Sequence, residues 1–339
     1  MTSVPTLTFF NNKGGVGKTT LVYHLSWMFA ELGVRTLVVD CDHQANLTAA
    51  FVDEAALSDL WNPARAGHCV STIYDAVRPL ARAEDFSPPK TIAIDPKLQL
   101  IAGDMGLSAF EDQLSEQWTQ ALLGNEDARE HAMLVLSAFW RMAQAKASEM
   151  NADLVMFDVA PNQGAINQSV LIGTDHVVVP LAADWLSLQG LRNLGPALLR
   201  WRMGWKDRTL RIGDALGPLP SGEIRPAGYI VVQQQKTLSR PVQAYESLLD
   251  RIPGDYRQYL LQEKDGGTLP DIKSDPYCLA LLRPYHGLMM LSQEARKPVF
   301  KLRSADGAIG SHAAAVTRAY QDFHTLALKI LSRIGITPA

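Results

Sequence analysis

Between residues 13 and 20 the chain reads Lys13-Gly14-Gly15-Val16-Gly17-Lys18-Thr19-Thr20, two lysines and three glycines ahead of paired threonines. Such a stretch can hold phosphate. The glycines let successive backbone N–H groups turn toward one anion, a helix starting near Lys18 adds its N-terminal partial positive charge, and Lys18 supplies a full one. Thr19, directly after that lysine, offers its hydroxyl to a magnesium ion. Three carboxylates stand at the ends of apolar runs, Asp40 and Asp42 after one and Asp158 after another. Acids at the C-terminal end of a buried strand lie where open α/β sheets bind ligands, so Asp40 and Asp42 can approach a metal and a terminal phosphate. Asp158 would hold the magnesium opposite Thr19.

The elements that must position these groups are legible as alternating strands and helices. Thr6–Phe10 is a short β-branched and aromatic run ahead of the loop, and Leu21, Val22, Leu25, Met28, Phe29 and Leu32 follow it at helical spacing. Further buried strands are predicted at 34–39, 97–104, 152–158, 175–181, 227–232 and 278–282, with a long helix over about 128–150 and a final amphipathic one over about 312–334. Strand, helix, strand in repetition predicts an α/β fold, doubly wound, with a mainly parallel sheet flanked by helices and the ligand at the strands' C-terminal edge. The whole of 1–339 is read as a single domain, with insertions at about 51–96, punctuated by prolines, and at about 250–276.

Asn12 stands where the strict Walker pattern wants glycine, and the loop fits a deviant form, Lys-Gly-Gly-Val-Gly-Lys-Thr-Thr. This resembles the ParA/MinD family of P-loop ATPases. Asp40-Cys41-Asp42-His43-Gln44-Ala45-Asn46 is similar to the family's Asp-x-Asp-Pro-Gln-x-Asn, with His43 replacing the proline. After Asp158, Val159-Ala160-Pro161-Asn162 keeps half of the family's Pro-Pro turn. Leu107–Glu111, Asp184–Leu191 and Leu291–Val299 resemble further family segments, and Arg283-Pro284-Tyr285 resembles its adenine-side turn. The resemblance implies that ATP and Mg2+ are the cofactors. It also implies that Lys13 reaches across a homodimer interface to the other subunit's phosphates, Asp42 orients the attacking water, Asp40 serves the magnesium shell and Asn46 serves the switch loop. Gly14 to Thr20 would cradle the phosphates, and Pro284 and Tyr285 would meet the adenine. In such a family the ATP-bound dimer coats DNA non-specifically, and a ParB-like or cargo-adaptor protein stimulates hydrolysis.

Composition restricts where a DNA surface can be. The formal charge of −3 leaves only local patches. Arg192–Arg211 is one, with Arg200 and Arg202 beside Trp201 and Trp205, whose rings are either a packing face or a stacking surface. Arg296, Lys297, Lys301 and Arg303 form another, and Arg240 matches a basic family position. Cys41, Cys69 and Cys278 are too scattered for a disulfide framework or a cysteine-built metal site, which argues against an iron–sulfur reductase of the same superfamily. With no run of about 18 apolar residues, no basic leader and only Lys329 and Arg333 near the end of the last helix, a cytoplasmic protein without membrane attachment is expected. If the DNA reading holds, it would be associated with the nucleoid. The competing class is a MinD-like regulatory or assembly ATPase that uses the same switch on a protein complex or membrane without DNA. A metabolic P-loop enzyme, such as an amide or biotin-precursor synthase, stays as a further alternative.

Overall fold

Alternate residues along each central strand face opposite layers, and both layers are apolar, which is why the strands read as unbroken hydrophobic runs. The computed structural model describes residues 3–62, 72–213, 215–233, 242–263 and 270–338. β1 (Thr6–Phe9) leads through the glycine loop into α1 (Lys18–Glu31), and β2 (Thr36–Asp40) follows. Short helices α2 (Asn46–Phe51), α3 (Glu54–Leu60) and α4 (Ile73–Val77) precede a hairpin of β3 (Ile92–Asp95) and β4 (Leu98–Ile101). Next come α5 (Glu111–Leu123), α6 (Glu126–Leu136) and α7 (Ala138–Glu149). β5 (Leu154–Asp158), α8 (Ala165–Ile172), β6 (His176–Ala182) and α9 (Trp185–Ile212) continue the alternation. The rest is β7 (Arg225–Val232), α10 (Val242–Asp255), β8 (Cys278–Leu282), α11 (His286–Ala295) and α12 (Ser311–Ile334).

The eight strands form one sheet in the order β3-β4-β2-β5-β1-β6-β7-β8, and every pairing but β3 with β4 is parallel. The fold is therefore the α/β class that the alternation predicts. β1 lies between β5 and β6, and the chain leaves it toward β2 on one side and returns to β6 on the other. The glycine loop sits at that divergence, the usual place for a ligand crevice. Val155 and Phe157 of β5 pack with α7, α8 and α9, whereas Leu154 and Met156 pack with α1 and α12. Each fully buried Phe or Leu in these layers contributes about 1.5–3 kcal/mol relative to leaving it in water.

Three expectations change. The helix predicted over 128–150 is two, because the chain turns at Ser137, whose hydroxyl donates to Met133 O at 2.7 Å. The stretch 51–96 holds an antiparallel edge strand, β3, that proline punctuation concealed. The stretch from Asp250 continues α10 to Asp255 and then widens into a π-type turn over Tyr256–Leu261. Arg257 of that turn pairs with buried Asp275 at 2.7 Å, and Tyr229 of β7 donates to the same carboxylate at 2.6 Å. Arg240 and Cys69 lie outside the described residues.

Candidate active site

Gly15 and Gly17 take φ of 72° and 83°, left-handed values that a side chain disfavours, and Gly17 immediately precedes α1. Lys18 is buried at the first turn of that helix, and its Nζ donates to Asn11 O at 3.0 Å and Lys13 O at 3.3 Å. The ammonium thus rests on the loop's own carbonyls. Burial lowers its pKa, and the charges of Asp158 and Asp42 pull it partly back. Asn11 Nδ2 donates to Pro180 O at 2.8 Å, tying the loop to β6. On α9, a Cβ at Gly190 would stand 2.8 Å from Asn12 Oδ1 and 2.9 Å from Asn11 Oδ1, so only glycine admits so close an approach.

The three acids stand together but are not equivalent. Asp40 and Asp158 are register partners at the ends of β2 and β5, and both are fully buried. Asp40 is engaged within the protein. Its Oδ2 accepts from Thr48 N (2.9 Å) and Thr48 Oγ1 (2.7 Å), and its Oδ1 accepts from Asp42 N at 3.2 Å. Burial pushes its pKa up to about 6, against the pull of the Thr48 hydrogen bonds. Through these bonds the Asp40 carboxylate holds the start of α2 and the 41–48 loop. Asp158 is the opposite case, because among the described residues neither of its carboxylate oxygens has a partner in hydrogen-bond geometry. Burial raises its pKa well above the carboxylate range and Asp40 adds to this, while the Thr19 hydroxyl and Lys18 oppose. A buried orphan carboxylate beside a phosphate-type loop fits a cation. Among the described residues no three His, Cys, Asp or Glu side chains could hold a metal ion by themselves. A divalent ion here would therefore use Asp158, Thr19 and oxygens from phosphate and water. Asp42 is nearly buried and accepts from Gln44 N at 2.9 Å, at the head of the loop that bears Asn46.

Lys13 lies at the rim, where its ammonium forms an ion pair with Asp184 and donates to Ser187 Oγ at 3.3 Å. Asp184 also caps α9 by accepting from Ser187 N at 2.8 Å. Burial pushes the Asp184 pKa up, but the Lys13 and Ser187 hydrogen bonds outweigh this and hold it below the usual range. Neither Asp184 nor Glu111, whose carboxylate accepts from Ala165 N and Ile166 N at the start of α8, is among the site residues read from sequence. Both belong to quoted family segments, but their partners are 171 and 54 residues away in the chain.

Pro284 and Tyr285 line a recess of about 430 Å³ with Arg283, Leu288, His312 and Arg318, and the Tyr285 hydroxyl donates to Asp322. The basic residues divide. Arg202 is half-buried and donates to Ile224 O, and burial lowers its pKa, so its guanidinium is engaged within the protein. Trp201 and Trp205 are buried, with Trp205 Nε1 donating to Pro220 O at 2.8 Å, so they are packing faces. Arg192 pairs with Asp255 at 3.0 Å, Lys297 with Asp306 at 2.7 Å and Lys301 with Glu31 at 3.8 Å. Arg303 N donates to Asp306 as well, at 2.9 Å. Arg200, Lys206 and Arg296 have no acidic partner within 4.0 Å among the described residues. No described helix is long and apolar enough to cross a membrane.

A family profile described as an AAA domain matches residues 4–201. The sporulation initiation inhibitor protein Soj of Bacillus subtilis is 28% identical over 185 residues, covering 54% of this chain and 60% of Soj. The cell division protein PomZ of Myxococcus xanthus is 28% identical over 189 residues, covering 55% of this chain and 49% of PomZ. The chain thus spans about half to three-fifths of the length of these curated relatives. Among solved structures, pNOB8 ParA bound to nonspecific DNA superposes with a TM-score of 0.60 at 15% identity over 98% of both chains. The ATP complex of a Cyanothece McdA variant gives 0.58 at 14% identity, over 100% of this chain and 99% of that one. At such identities the likeness establishes the fold.

Proposed function

Because the chain belongs to the ParA/MinD-like family of P-loop ATPases, we propose that it binds ATP with magnesium, dimerises in that state, and hydrolyses the nucleotide to partition or position DNA or a protein cargo. The observation that carries this reading is the fully buried Asp158 carboxylate, with both oxygens unpartnered, at the end of the strand beside the phosphate loop. Asp158 and Thr19 would hold a magnesium ion, which would supply neutralisation of the charge that develops in transfer. Residues Gly14 to Thr20 hold the phosphates, with Thr19 and Asp158 at the ion and Pro284 and Tyr285 toward the adenine. Asp42 orients the attacking water. Lys13 acts in trans, so it must leave Asp184 when two subunits close, and ATP becomes a dimerisation switch. Residues 1–339 act as one cytoplasmic ATPase domain, with about 51–96 and 250–276 as insertions. Soj and PomZ, named for sporulation and cell division, and pNOB8 ParA, bound to nonspecific DNA, support a positioning role on a DNA track; the family resemblance adds a ParB-like or adaptor protein that stimulates hydrolysis.

The test is chromatography and hydrolysis of wild type, Lys13→Ala and Asp42→Ala with MgATP and MgADP. Wild type should dimerise with ATP alone, Asp42→Ala should accumulate dimer without turnover, and Lys13→Ala should bind ATP as a monomer. An unchanged hydrolysis rate in Lys13→Ala would remove the trans role. A second reading has its own support. The capture of Arg192, Arg202, Lys297 and Lys301 by acids and a carbonyl favours a MinD-like ATPase working on a protein complex or membrane surface without DNA.

A further inference from the structure

The loop that follows Asp158 is fastened from two sides. From within, Asn167 Nδ2 donates to Ala160 O at 2.8 Å and Asn162 O at 2.9 Å, and Gly164 N donates to Asn162 Oδ1 at 2.9 Å. From outside comes Glu111, the first residue of α5, whose Oε1 accepts from Ala165 N and whose Oε2 accepts from Ile166 N at 3.2 Å. Gly164, the residue before α8, has no side chain to cap that helix, and a Cβ there would collide with Glu111 Oε1. The first free N–H groups of α8 are thus satisfied by a carboxylate from another part of the chain.

The sheet order makes this contact a bridge. Glu111 follows β4 and the loop follows β5, while β2, with Asp40 and Asp42 at its end, lies between those strands. The carboxylate therefore ties a segment that follows β4 to one that follows β5, the strands on either side of β2. The loop it fastens begins at Asp158 and lays Pro161 Cγ 3.8 Å from the position of a Cβ on Gly14, against the phosphate loop. At its other end α5 is held by Arg208 of α9, whose Nε donates to Trp118 O at 3.1 Å. α5 is thereby anchored to α8 at its start and to α9 further along.

We infer that Glu111 is a positioning residue for hydrolysis: by fastening the start of α8 it sets the 159–164 loop, and with it Asp158 and Pro161, against the phosphate loop. This rests on the ATPase reading above. Glu111 touches no nucleotide in this scheme, so its loss should affect turnover more than binding.

The experiment compares wild type, Glu111→Ala and Glu111→Gln in three measurements: steady-state MgATP hydrolysis, affinity for a fluorescent ATP analogue, and amide hydrogen exchange across 159–168. Glu111→Ala should lower kcat about 10- to 100-fold, the usual range for an outer-shell orienting group. Analogue affinity should stay within about threefold. Exchange at residues 165 and 166 should speed up. Glu111→Gln, which keeps one carbonyl acceptor, should recover part of both losses. A Glu111→Ala protein with wild-type kcat would overturn the inference, as would equal losses of affinity and turnover accompanied by a lowered melting temperature. Wild-type protein that binds MgATP without hydrolysing it would sink the ATPase reading, and with it the catalytic purpose of the contact. Unchanged exchange at 165 and 166 in Glu111→Ala would overturn the fastening whatever the hydrolysis shows.

Discussion

Asp158 and Arg202 are both charged side chains withdrawn from water, and the molecule treats them in opposite ways. Arg202 gives one terminal amino group to Ile224 O, although its Nε has no partner among the described residues, and burial lowers its pKa. Asp158 has far less: among the described residues neither oxygen has a partner in hydrogen-bond geometry, and Asp40 across the strand pair raises its pKa further, against the nearby Thr19 hydroxyl and Lys18. An uncompensated buried carboxylate destabilises a fold by a few kcal/mol, so its retention points to a ligand. Charge content alone would have ranked the regions the other way. The 192–211 stretch is rich in arginine, yet Arg192, Arg202 and Arg208 are bound to Asp255, Ile224 O and Trp118 O. What distinguishes a site is charge left unanswered.

The largest expected effect tests that rule at Asp158. Asp158→Asn preserves shape and removes the charge, so turnover should fall about 10²- to 10³-fold, while the protein becomes more stable to urea by about 1–3 kcal/mol. Binding of ATP through the glycine loop should survive, with weaker dependence on magnesium. A variant that is inactive and also less stable would mean that Asp158 is answered in the fold after all, and the contrast with Arg202 would fail.

Much of this contrast was written in the sequence on one side only. The glycine loop, the acids at strand ends and the central strands are local patterns, because each depends on residues within about ten positions of one another. β8 appears over Cys278–Leu282 as its apolar run predicts. The partners of the arginines are not local. Arg192 finds Asp255 63 residues on, and Lys13 finds Asp184 171 residues on, through helix packing that no spacing rule encodes. α5 escaped for a different reason: only Leu114, Trp118 and Ala121 are buried, so its apolar stripe is thin. Asp40 illustrates a limit of motif reading. It has the residue type and strand end that the motif asks for, but its hydrogen bonds to Thr48, eight residues on, are not part of that pattern.

Orphaned polar atoms need not mark sites, and His24 sharpens the rule. Its Nδ1 lies 2.8 Å from Thr20 O, its Nε2 has no partner, and its ring stacks on Phe323 at 5.0 Å. Burial lowers its pKa to about 4, against the Thr20 carbonyl. A neutral imidazole can stay unpaired at modest cost, whereas a carboxylate cannot. The sign follows from the depressed folded value. His24 leaves stability intact above the unfolded pKa of about 6.5, and stability is lost as pH falls from there toward 4, about 3 kcal/mol in all. Urea melts at pH 7.5 and 5.0 should show His24→Leu losing about 2 kcal/mol less than wild type over that interval. Equal losses would mean the imidazole is not held neutral.

The smallest effect bears on the other half of the comparison, the answered arginines. If DNA is bound, Arg200→Ala should weaken duplex binding with ATP at every sequence and reduce the slope of log K against log salt by about 1. Arg202→Ala, two residues away, should leave that slope alone and instead lower stability by about 1–2 kcal/mol, because Ile224 O loses its donor. Lys297→Ala should fall between them, since Lys297 is itself nearly half exposed and can exchange Asp306 for phosphate at little cost. A salt slope that drops for Arg202→Ala would show that its guanidinium leaves Ile224 for phosphate. In that case an answered charge is no guide to function, and α9 returns as a DNA face.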